Sequence, residues 1–149
     1  MSARTTPALA ALDNLRFARS GETVTGEYPV SGLPRLADML ASEEGVVSYR
    51  LSGVLVTGRP ALKLVLDATL RLVCQRCLEP FDYRLHVDNV MPVARDEREL
   101  VQWEREDPLL DAQVADPRMD VRTLVEDEIL LGLPIMPRHP DGACGLAGD

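Results

Sequence analysis

The stretch 61–73, ALKLVLDATLRLV, decides the fold. Its even positions are Leu62, Leu64, Leu66, Ala68, Leu70 and Leu72, while its odd positions include Lys63, Asp67, Thr69 and Arg71. An apolar residue at every second position has the period of a strand, with one face on a core and the other in water. Upstream, Val47, Tyr49, Leu51 and Leu55 alternate more loosely, and Gly58, Arg59 and Pro60 read as the intervening turn. Downstream, Phe81, Tyr83, Leu85, Val87 and Met91 alternate with Asp82, Arg84, His86 and Asp88. Residues 46–93 are therefore predicted to form three antiparallel strands in a meander. Lys63, Arg71, Arg84 and His86 fall on its wet face.

Outward from this meander the signals are shorter. The β-branched run 22–30, ETVTGEYPV, predicts a short strand. Pro34 then opens a short helix carrying Leu33, Leu36, Met39 and Leu40, closed by Gly45. Residues 1–20 have little periodicity and are set off as an N-terminal segment before a domain over 21–149. The charged stretch 94–119 reads as an exposed acidic connector anchored by Trp103, Leu109 and Leu110. Asp120 caps a helix whose core stripe is Val121, Leu124, Val125 and Leu131. Glu126, Asp127 and Glu128 lie mid-helix, where carboxylates ordinarily form a solvated face. Pro134 ends the helix, and 134–149, rich in Pro and Gly, is expected to be an irregular tail. The expectation is one α+β domain: an antiparallel β-meander with a short N-terminal helix and a C-terminal helix.

With 149 residues there is room for one ordinary domain. No apolar run approaches the roughly 20 residues of a bilayer span, and no compact apolar signal region is read, so a cytoplasmic protein is expected. The net charge is −8, but it is unevenly spread. Residues 46–86 hold six basic and three acidic residues, and 87–149 hold six basic and fifteen acidic. An acidic chain with a basic middle leaves two partner classes open. Arg50, Arg59, Lys63, Arg71, Arg76 and Arg84 are candidate phosphate contacts for RNA. The acidic C-terminal half, with Glu126, Asp127 and Glu128, is a candidate docking surface for a basic protein.

Three cysteines, Cys74, Cys77 and Cys144, argue against a disulfide framework. Cys74 and Cys77 are two residues apart at the tip between two predicted strands, the spacing that lets two thiolates face one zinc ion at about 2.3 Å. His139 and Cys144 are the best remaining pair, and together the four make a Cys3His set suited to structural zinc. Unligated thiols and a redox pair are the alternatives, although a redox CxxC usually opens a helix after a strand. A closed site of this kind leaves no position for a catalytic water. No phosphate-binding loop, dinucleotide fingerprint, nucleophile elbow or HExxH motif occurs, and no acid/base constellation such as a nuclease needs is visible. No enzymatic activity and no small-molecule substrate are expected.

Two segments carry a family resemblance. The stretch 72–81, LVCQRCLEPF, resembles the cysteine motif of the bacterial YceD family. Met119, Asp120 and Val121, then 125–139, VEDEILLGLPIMPRH, followed by Cys144, resemble its second motif. Both occur in the family's order, and the resemblance spans roughly 13–144. It implies a non-enzymatic role in the accumulation or processing of 23S rRNA precursor during large-subunit biogenesis. It places motif positions at Cys74, Cys77, His139 and Cys144 and at the acidic trio. Family members usually continue past the last cysteine with a polar segment, whereas this sequence stops at Asp149.

Overall fold

The computed structural model describes residues 3–5 and 11–134. Its frame is a six-stranded sheet in the order β1-β3-β4-β5-β6-β7. The long central strands are β4 (Val46–Val56), β5 (Arg59–Val73) and β6 (Pro80–Ala94), the predicted antiparallel meander. β3 (Thr23–Pro29) pairs antiparallel with β4, and β1 (Ala3–Thr5) pairs parallel with β3. β7 (Gln113–Val114) runs parallel to β6 at the other edge. The even positions of β5 face inward as the alternation requires, with Leu62, Leu64, Leu66 and Leu70 at 0% exposure.

The turn between β4 and β5 lies one position earlier than expected. Thr57 and Gly58, at φ 49° and 81°, form it, and Arg59 already pairs with Val56. Two successive left-handed residues give the hairpin twist that matches the strands, so Arg59 and Pro60 join β5.

Helices cover the inner face. α1 (Asn14–Ser20) was not evident in the sequence and lies within the segment 1–20. Asp13 caps it by accepting from the Arg16 N–H, Gly21 ends it in the left-handed region, and Phe17 and Ala18 are buried against β4 and β5. Two turns are too short to display a helical period, which is why pattern reading missed it. The helix expected after Pro34 is one turn only, α2 (Pro34–Ala37), preceded by a 3-10 turn at Val30–Gly32. Leu33 and Leu36 are fully buried, but Met39 is 57% exposed. The Ala41 N–H donates to the Arg71 carbonyl at 2.7 Å, drawing the chain onto the sheet before a second turn can form.

The charged connector holds a helix, α3 (Glu97–Glu106), started by the Asp96 side chain accepting from the Glu99 N–H. Trp103 anchors it as expected, whereas Leu109 is 94% exposed and anchors nothing. β2 (Ala11–Leu12) and β8 (Met119–Asp120) form a separate antiparallel pair. This pair leads directly into α4 (Val121–Gly132), whose cap is Asp120, accepting from the Arg122 and Thr123 N–H groups. Val121, Leu124, Val125 and Ile129 form the buried stripe of α4, while Leu131, expected in it, is 75% exposed.

Candidate functional site

The link between β5 and β6 is a tight loop built around the two cysteines. Cys74 donates its N–H to the Glu79 carbonyl at 2.9 Å, carrying the strand ladder one step further. The Leu78 N–H returns to the Cys74 carbonyl at 2.8 Å, and the Arg76 N–H points at the Cys74 sulfur at 3.4 Å. Leu78 holds φ at 64° with its side chain 72% exposed. A non-glycine residue in this region costs about 1–3 kcal/mol. Gln75 and Arg76 are exposed, while Cys74 and Cys77 are buried at 0% and 8% and belong to the core cluster. The loop thus turns both thiols to one side and its polar residues to the other. His139 and Cys144 lie outside the described residues. Among the described residues no group of three or more His, Cys, Asp and Glu side chains is arranged around a metal position. His86 stays on the strand face, its Nδ1 2.7 Å from Asp67.

The six basic candidates do not share one surface. Arg50, Lys63, Arg71 and Arg84 lie on the outer face of the sheet, Arg76 on the cysteine loop, and Arg59 elsewhere. The strand register adds anions that the local count over 46–86 omitted. Thr25, Arg50, Val65 and Asp88 form one row across β3 to β6, and Glu27, Ser48, Asp67 and His86 form the next. Arg71 Nη1 pairs with Asp82 at 3.0 Å. On this face of β3 to β6, the four cations meet four carboxylates: Glu27, Asp67, Asp82 and Asp88. The basic island of the sequence is a charge-balanced face in the fold.

Arg59 lies over the Trp103 ring with its guanidinium carbon 4.4 Å from the ring centroid. Together with Arg19, Arg95 and Glu99 they line a cavity of about 340 Å³ at the end of the sheet. Glu99 pairs with Arg95 at 3.0 Å. The sequence carried no signal for this convergence, because Arg19 lies in α1, Arg59 in β5 and Arg95 in the link between β6 and α3. The cavity has the charge for one small anion; a nucleic-acid backbone needs a track of cations.

The acidic trio is not the solvated face expected of it. Glu126 and Glu128 are each 5% exposed. Glu126 reaches across to the start of α2, accepting from the Arg35 and Leu36 N–H groups at 2.8 and 3.1 Å and from Arg35 Nε at 3.0 Å. Asp127, on the more open side, accepts from Arg35 Nη2 at 2.6 Å. Glu128 accepts from Asn89 Nδ2 at 2.8 Å, and the same amide donates to Asp111 at 2.6 Å. These carboxylates tie α4 to α2 and β6.

Burial raises the Glu128 carboxyl above its ordinary value, the Asn89 hydrogen bond opposes this, and Asp111 adds to it. The folded state therefore holds this proton to higher pH than the unfolded chain does. The associated stabilisation is complete below the ordinary carboxylate range and is lost as pH rises through the raised value. Glu128→Gln keeps the acceptor oxygen and removes the titration. Urea unfolding is expected to find the variant more stable than the unmodified protein at neutral pH, with the advantage shrinking toward about pH 4. A difference independent of pH contradicts this account.

Among the described residues no helix is long and apolar enough to cross a membrane. Residues 62–148 match the protein-family model described as "Large ribosomal RNA subunit accumulation protein YceD". A protein of that name from Haemophilus influenzae is 27% identical over 151 residues, covering 93% of this chain and 79% of the relative. No solved structure matches.

Proposed function

The chain belongs to the YceD family of large ribosomal RNA subunit accumulation proteins, and we propose that it acts there as a non-enzymatic adaptor that docks a basic ribosomal protein in the cytoplasm. The observation that carries this reading is the distribution of charge. The outer sheet face, where RNA contacts were expected, offers as many carboxylates as cations. By contrast, residues 96–107, which include α3, carry six carboxylates against two guanidiniums, and Glu97, Glu104, Glu106 and Asp107 are exposed. A rigid helix with an anionic surface attracts a cationic partner and sets its orientation, while repelling a phosphate backbone. Glu126 and Glu128 are spent holding α4 to α2 and β6, so Asp127, half-exposed beside Arg35, is the member of the trio open to a partner.

Two charge-reversal sets separate the adaptor from a direct RNA binder. One is Glu97→Lys with Glu104→Lys and Glu106→Lys. The other is Arg50→Glu with Lys63→Glu and Arg84→Glu. In a strain lacking the protein, the ratio of 23S to 16S rRNA is expected to be restored by the sheet-face set and not by the α3 set. Purified protein is expected to retain a basic ribosomal protein in a salt-sensitive manner that only the α3 set abolishes. RNA binding with a steep salt dependence, lost in the sheet-face set, would replace this reading with direct rRNA contact.

A further inference from the structure

We propose that the cavity beside Arg59 and Trp103, at the end of the sheet, binds the phosphate group of a small organic phosphate monoester, whichever partner the protein docks. The guanidiniums of Arg19, Arg59 and Arg95 converge there. Among the described residues one carboxylate, Glu99, joins them, and it is already committed to a neighbour. It accepts from the Arg95 N–H at 2.9 Å and from Arg95 Nη2 at 3.0 Å. Arg19 and Arg59 have no carboxylate partner among the described residues. The lining therefore holds an excess of two positive charges in a recess, where the cations repel one another and attract a compensating anion. The outer sheet face differs, because there the cations are matched by carboxylates.

Arg59 is the preorganised member. Its guanidinium carbon lies 4.4 Å from the ring centroid of Trp103, which is buried. Stacking fixes the guanidinium plane and leaves the donors at its edge for a ligand, so little side-chain freedom is lost on binding. A planar fork of this kind suits the paired oxygens of a phosphate. Charge then selects among oxyanions. A phosphate monoester carries about −1.5 to −2 at neutral pH and matches the excess of the lining. A carboxylate or a phosphodiester carries a single charge and leaves half of that excess uncompensated. The shape of the site supplies the organic part. The cavity of about 340 Å³ has Leu15, Pro60 and Val93 as an apolar wall, and its size is that of a small-molecule pocket, roughly 300–1,000 Å³.

The test uses the full chain and follows the fluorescence of Trp103, the one tryptophan in the sequence, with phenyl phosphate as the probe. A saturable change is expected, with the same affinity by calorimetry. Arg19→Ala, at an exposed position, should leave the midpoint of thermal unfolding nearly unchanged and weaken phenyl phosphate at least about tenfold. Arg59→Ala removes the stack as well, so its binding is read by calorimetry, where a loss of at least about tenfold is again expected. Benzoate and dimethyl phosphate, each with one charge, should bind at least about tenfold more weakly than phenyl phosphate. No saturable response to phenyl phosphate at millimolar concentration overturns the site. Undiminished affinity in either folded variant overturns its location. Benzoate or dimethyl phosphate binding as tightly as phenyl phosphate overturns the choice of a monoester. Inorganic phosphate binding as tightly overturns the organic part of the assignment.

Discussion

Gly53→Ala is expected to destabilise the protein by about 3 kcal/mol, near the upper end of what overpacking a core ordinarily costs. In an exposed strand the same change would be neutral or favourable, because alanine restricts the unfolded chain. Here the direction is set by α1. A Cβ at position 53 would lie 2.1 Å from the Phe17 carbonyl oxygen and 2.8 Å from that of Ala18. Both are backbone atoms of the last turn of α1, so no side-chain rotation can make room. Gly53 is also held from the other side, paired with Leu62 in the register and donating its N–H to the Glu22 carbonyl at 2.9 Å. Relief requires α1 to lift off the sheet, loosening Phe17 and Ala18 in the core. For a chain of this size the midpoint of thermal unfolding should fall by roughly 6–12 °C. Gly58→Ala is the control. It meets nothing within 4 Å and sits at φ +81°, so only backbone strain of about 1 kcal/mol is expected. Equal, small losses in the two variants would mean that α1 is not held against β4 as the geometry requires.

Glu126→Ala is expected to cost about 2–4 kcal/mol in denaturant unfolding. The change leaves the Arg35 and Leu36 N–H groups without their acceptor at the start of α2, each a penalty of about 1–3 kcal/mol when buried. It also strands one arm of the Arg35 guanidinium. That part is discounted, because Arg35 is half-exposed and water replaces its partner. Glu126→Gln keeps one acceptor oxygen for the backbone and should lose only about 1 kcal/mol. Arg35→Ala should lose a similar amount, since the backbone hydrogen bonds to Glu126 survive it. If glutamine and alanine at 126 are equally harmful, the charge rather than the backbone cap is what matters, and the assignment of Glu126 as the external cap of α2 fails.

The meander could be read in advance because a strand period is local. The alternation in 61–73 specifies an inner and an outer face without reference to any other part of the chain, and the cysteine spacing marks where the strand must turn. The start of α4 was equally legible, since Asp120 acts on N–H groups only two and three residues away. The elements that escaped were those too short for a period to show, α1 above all, and those ended by a distant contact. α2 stops where the Ala41 N–H meets the Arg71 carbonyl.

The candidate site divides along the same line. The sequence by itself determined the cysteine hairpin and the alternation that places Arg50, Lys63, Arg71 and Arg84 on one face. Only the tertiary structure decided what those charges amount to. Strand pairing brought Glu27 and Asp88 onto the face from outside the basic stretch, and neutralised it. Helix packing brought Glu126 to Arg35, 91 positions away, and turned an apparent acidic surface into an internal brace. It likewise set Arg59 on Trp103. The physical reason is that burial and net charge belong to a surface assembled from remote segments, whereas strand period, turn spacing and helix caps are fixed by atoms within a few residues of one another.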